Sequence, residues 1–140
     1  MRAVHFSSAH SYNPAPSVHN SSLSLGHNFR LETHFSGPID AESGMIANLR
    51  DIDAWLSEVI QDLDHRHLEV DVEYFKSHAP SPENIAIYCF DRIAEVLSLA
   101  KIENQKSRRA DSSIQDLSSV NVVKVRLYES DNLWVDFPIT

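Results

Sequence analysis

Cysteine is nearly absent: the chain carries one thiol in 140 residues, Cys89. A lone cysteine forbids an internal disulfide and fits a reducing cytoplasm. Basic residues are also scarce, with 12 Lys and Arg against 20 Asp and Glu and a formal charge of −8. That balance leaves no electropositive footprint for nucleic acid and no general attraction to an anionic membrane. No stretch approaches the roughly 18 uninterrupted apolar residues of a membrane span. Residues 1–10 hold one arginine and no apolar run behind it, so no secretory signal is expected. No internal repeat is present.

What remains is an ordinary globular composition, 42% hydrophobic and 23% charged, at a length that predicts a single domain over 1–140. Residues 3–10 are short and β-leaning and end at a histidine. Residues 11–24, with two prolines and several Ser and Asn, form a loop without a period of their own. From Asn28 the pattern alternates, Phe29, Leu31, Thr33 and Phe35 on one face and Arg30, Glu32 and His34 on the other, which predicts a half-buried strand stopped by Gly37-Pro38. Asn48 is placed as a helix N-cap before Leu49, Ile52, Leu56, Val59 and Leu63 at three- and four-residue intervals. Ser81-Pro82-Glu83 starts a second helix, with capping hydroxyl, first-turn proline and first-turn acid. Residues 103–119 are polar and predict a solvated, mobile connection. Residues 120–128 and 133–137 flank an Asp131-Asn132 turn as a hairpin. The order implies an α+β chain with helices on one face of an antiparallel sheet.

Eight histidines are enough imidazole for a metal or an acid–base site. His10 ends the first strand and His27 begins the next. If the strands pair antiparallel, both rings meet at one end of the sheet as half of a zinc site, which needs three protein ligands and an open position when catalytic. They could equally be strand ends facing solvent. Asp64-His65 follows the first long helix. It is either a carboxylate holding an imidazole for proton transfer or a helix-terminal histidine interacting with the dipole. Glu129, ending an apolar strand, is either aimed at a ligand or simply solvated. Cys89 falls within the apolar face of the second helix and reads as buried and inert.

Taken in order, Phe6-Ser7-Ser8-Ala9-His10, Gly26-His27-Asn28-Phe29, Gly44-Met45-Ile46, Leu63-Asp64-His65-Arg66-His67-Leu68, Pro82-Glu83-Asn84 and Tyr128-Glu129-Ser130-Asp131 resemble the 6-pyruvoyltetrahydropterin synthase family. That family includes bacterial 6-carboxytetrahydropterin synthases. The resemblance runs from residue 3 to about 137, with 103–119 as an insertion, and residues 44–75 are closest to the pyruvoyl branch. It implies the tunnelling fold: a four-stranded antiparallel sheet with two helices on one face. Three such sheets close into a barrel and two trimers stack into a hexamer. It also implies an active site between subunits, where zinc held by three histidines sits beside a pterin anchored by a glutamate. A cysteine serves as base and an Asp-His pair relays protons. By position, His10 and His27 match two zinc ligands, Asp64 and His65 the relay, and Glu129 the pterin anchor.

Two positions depart from the pattern. The family's His-Gly-His reads Leu25-Gly26-His27 here, and leucine coordinates nothing. The cysteine position, counted back six or four residues, is His19 or Ser21. Three functions follow from the resemblance. The first is a lyase acting on a dihydroneopterin-triphosphate-type pterin, with His19 as base or third zinc ligand. The second is a pterin- or purine-binding homologue without that chemistry. The third is a structural subunit completing a paralogue's site.

Overall fold

The computed structural model describes residues 1–12 and 23–139. Strand β1 (Arg2–Tyr12) pairs antiparallel with β2 (Leu23–Ser36), β2 with β4 (Asn121–Ser130), and β4 with β5 (Leu133–Phe137). Between β2 and β4 the chain forms helix α1 (Leu49–Leu63), a two-residue strand β3 (Arg66–His67), the single turn α2 (Leu68–Asp71), a 3-10 turn (Glu73–Lys76) and the long helix α3 (Pro82–Ala110). The sheet order is β3-β1-β2-β4-β5. This is the expected α+β architecture, four antiparallel strands and two long helices, with one addition. Strand β3 runs parallel to β1 opposite Ser8 and Ala9.

The caps form as the sequence predicts. Asn48 accepts from the Arg50 N–H at 2.8 Å and Ser81 from the Asn84 N–H at 3.2 Å, satisfying N–H groups that a helix start leaves unpaired. The apolar stripe of α1 (Trp55, Leu56, Val59, Leu63) and that of α3 (Ile85, Cys89, Ile93, Val96, Leu97) are buried against Phe6, Phe29, Leu31, Val125 and Leu127 of the sheet. One sheet face and two helix stripes thus share a single core.

Residues 103–119, expected as a mobile connection, behave differently. Residues 103–110 continue α3, and the segment beyond is pinned to the body. Asn104 donates to the Gln115 carbonyl at 2.8 Å and accepts from the Leu117 N–H at 2.9 Å. Gln115 in turn reaches the Ile46 carbonyl at 2.8 Å, and Leu117 and Val120 are buried. Polar composition concealed this helix because its anchors are hydrogen bonds made far along the chain. The strands also run longer than expected, β1 to Tyr12 and β2 from Leu23.

Candidate metal and proton-transfer site

The alternation that builds the core also builds the site. In register, Phe6 faces Phe29, Ser8 faces His27 and His10 faces Leu25. Side chains two apart on a strand share a face, so His27 continues the Phe29–Leu31 row just past the apolar core. On β4 Glu129 likewise continues the buried Val125–Leu127 row. The imidazoles of His10 and His27 stack with centroids 5.0 Å apart and planes 10° apart. His27 Nδ1 lies 3.5 Å from Glu129 Oε1. A ligand atom from each of His10, His27 and Glu129 falls within 4.8 Å of the other two. Three strands thus bring two imidazoles and a carboxylate to one end of the sheet, each partly buried, a donor set that suits zinc.

The second pair lies across a neighbouring cleft. Asp64 caps α1, its N–H bonded to the Ile60 carbonyl at 2.8 Å. Its Oδ1 accepts from the Ser7 N–H at 2.9 Å, and the next N–H, of His65, donates to the Ser7 carbonyl at 2.6 Å. The chain leaving α1 therefore docks on the free edge of β1, and β3 prolongs that pairing. The turn needs a left-handed residue, and His65 supplies it at φ 58°, a conformation that a non-glycine residue adopts at a cost. It aims the ring back at Asp64, with His65 Nε2 3.6 Å from Asp64 Oδ2. One carboxylate oxygen is committed to the backbone and the other faces the imidazole. His65 remains largely exposed, at 83%.

A cleft of about 480 Å³ is lined by His27 and His65 together, with Ser7, Asn28 and His67 among its walls. A smaller hollow of about 190 Å³ beside Glu129 is lined by His5, Arg30 and Tyr128 and shares Asn28 with the first. Asn28 accepts from the Ser7 hydroxyl at 2.5 Å, which ties the wall between the two hollows to the strand that also holds Asp64.

Of the site residues expected from the sequence, His10, His27 and Glu129 meet in one cluster and Asp64 and His65 in one pair, and His27 of the first and His65 of the second line the same cleft. His19 and Ser21 lie outside the described residues. Sequence reasoning did not foresee that Glu129 would stand against the histidines; its parity with Val125 and Leu127 was the available signal. Ser7 and Asn28 fell within the family-like motifs, but nothing in the sequence singled out a role for either. Cys89 is completely buried, and desolvation, with the Asp62 charge adding to it, pushes its thiol well above the ordinary range. A thiol held protonated in the core is no base.

A family model described as 6-pyruvoyl tetrahydropterin synthase matches residues 1–138. The human 6-pyruvoyl tetrahydrobiopterin synthase is 36% identical over 90 residues, covering 64% of this chain and 62% of that protein. The Drosophila melanogaster protein of the same name is 41% identical over 69 residues, covering 49% of this chain and 41% of its own length. The chain thus aligns with less than two thirds of these curated relatives. The solved Caenorhabditis elegans 6-pyruvoyl tetrahydropterin synthase superposes with a TM-score of 0.72 at 26% identity, covering 97% of this chain and 91% of that one. The Plasmodium vivax structure, at 18% identity and a TM-score of 0.59, shares the fold.

Proposed function

The chain belongs to the 6-pyruvoyl tetrahydropterin synthase family, and from that premise we propose that it is a carbon–oxygen lyase acting on a dihydroneopterin-triphosphate-type pterin. The observation that carries the reading is a cleft lined by both His27, one member of the His10–His27–Glu129 cluster, and His65, which Asp64 faces. A lyase of this kind takes a proton from a substrate carbon and expels a phosphate leaving group from a neighbouring one, so it needs a proton carrier beside the group that holds the substrate.

His65 suits the carrier's role. Asp64 faces its Nε2, which favours the tautomer protonated there and leaves Nδ1 to exchange a proton with substrate. Ser7 fixes Asp64 through the backbone, so the pair keeps its orientation without substrate present. His10 and His27 would hold zinc, whose contribution when bound is to polarise a substrate oxygen and so acidify the adjacent C–H. Glu129 borders the smaller hollow, where its carboxylate can accept from the amino and N–H groups of a pterin ring. His19 takes the cysteine's place in the sequence and serves as the base.

We assign the working form to a homo-oligomer, a hexamer of two sheet-closed trimers, in a cytoplasm that suits a lone reduced thiol. The sheet supports this. Strand β3 covers β1 only at Ser8 and Ala9, while β5 ends the other edge with Leu133 and Trp134 exposed. Open edges of this kind invite pairing.

The test is turnover of dihydroneopterin triphosphate by the purified, zinc-loaded chain, followed by light scattering of the same sample. Release of triphosphate, at least a hundredfold slower in His65→Ala, is expected from particles of about six chains of 15.8 kDa. Pterin binding without release would instead identify a non-catalytic homologue. A monomer at micromolar concentration would remove the shared site.

A further inference from the structure

The family pattern supplies three histidines to its metal, and this chain has leucine at one of those positions. We propose that Glu129 is the third protein ligand, completing a two-histidine, one-carboxylate zinc site without His19. This deepens the metal half of the function proposed above and rests on it.

Geometry is the first support. Zinc bonds of about 2.0–2.1 Å to nitrogen and oxygen at a tetrahedral centre set ligand atoms roughly 3.3 Å apart. His27 Nδ1 and Glu129 Oε1 already stand 3.5 Å apart, and the His10 ligand atom is within 4.8 Å of both. The second support is competition. Among the described residues the ion-pair partner of Glu129 is His27, and no lysine or arginine neutralises the carboxylate. The third is position. The three side chains leave β1, β2 and β4, neighbouring strands of one sheet, so strand pairing brings all three donors to one end of it. Two histidines and a glutamate form a complete catalytic zinc set with one position open to substrate.

The assignment changes the division of labour. A carboxylate bound through Oε1 keeps Oε2 for a hydrogen bond from a pterin, so one side chain can serve metal and ring. His19 is then released from ligation and remains available as the base.

The experiment strips the purified chain with chelator and titrates Zn²⁺ against a chromophoric competitor, with Co²⁺ absorption reporting coordination. One tightly bound zinc per chain is expected. Glu129→Gln should weaken it by at least about a hundredfold, more than the loss of a residue that merely supports a ligand. Glu129→His, a replacement donor at the same place, should restore tight binding and shift the Co²⁺ spectrum. His19→Ala should leave zinc affinity within about threefold. Zinc binding by Glu129→Gln as tight as wild type, zinc lost in His19→Ala, or no zinc bound by the wild type would each overturn the proposal. Near-native thermal unfolding of apo Glu129→Gln separates a lost ligand from a lost fold. Glu129-dependent zinc in a chain without turnover would sink the lyase reading and leave this one standing. Turnover with zinc indifferent to Glu129 would do the reverse.

Discussion

At Asp64 and His65 two demands meet in adjacent residues. The backbone must turn sharply from α1 onto the β1 edge, and the imidazole must face a carboxylate. The left-handed φ of 58° at His65 satisfies both at a conformational cost of about 1 kcal/mol. Glycine carries no such penalty. His65→Gly should therefore be more stable than His65→Ala by roughly 1 kcal/mol in urea unfolding, although both are inactive. Equal stabilities would mean that the strain is absent. Asp64 separates in the same way. Asp64→Asn keeps an oxygen for the Ser7 N–H, so its stability should hold within about 0.5 kcal/mol while turnover falls at least tenfold. Asp64→Ala loses the bond to Ser7 as well and should lose roughly 1 kcal/mol of stability, discounted for the partial exposure of the carboxylate.

At the scale of elements, the end of α3 shows how a polar sequence becomes ordered. Arg108, Arg109 and their neighbours have little apolar stripe, and Ile102 is exposed. The final turns are fixed instead by Asn104, whose amide joins the Gln115 carbonyl and the Leu117 N–H. With about 0.5–1.5 kcal/mol for each partly buried hydrogen bond, Asn104→Ala should destabilise the chain by about 1–2 kcal/mol. Hydrogen exchange should quicken at 104–118 more than in α1, and unchanged protection there would refute the pin. The same contrast explains what was legible beforehand. Caps, periodic stripes and alternation are local signals, so α1, the start of α3, β2 and the final hairpin could be read directly. The two-residue β3 depends on a docking edge elsewhere, and the Asn104 pin on residues a dozen positions away, and neither leaves a local pattern. The site divides likewise. His10 and His27 could be brought together by strand pairing alone. The position of Glu129 beside them needed the order β1-β2-β4, which places a strand from the far end of the chain next to β2.

Across the whole molecule, the sheet face turned away from the helices carries a dense set of charges whose titration contributes to acid stability. On it Arg126 grips Asp136 with a two-pronged contact at 2.7 and 3.0 Å. That contact, stronger than the opposing desolvation, holds the Asp136 carboxyl below its ordinary value. Beside them His34 is lowered from the usual imidazole value, chiefly by burial, then by Lys124, the N-terminal amine and Arg126, with Glu32 opposing. Both shifts have the same sign in linkage. The unfolded chain takes up each proton at a higher pH than the folded chain, so stability is complete above the unfolded pKa and falls as pH drops. For His34 the fall begins near the unperturbed 6.5, and for Asp136 only near 3.9. Metal-stripped protein should therefore show a urea midpoint that declines in two stages, the first as pH falls below about 6.5 and the second below about 4. His34→Gln should flatten the first stage and leave the second intact. Arg126→Met, which removes the partner that depresses Asp136, should make the second shallower, the remainder belonging to Asp40, Asp111 and Asp116, which turn hydrogen bonds also hold below the ordinary value. A first stage just as steep in His34→Gln would place the responsible proton on another histidine.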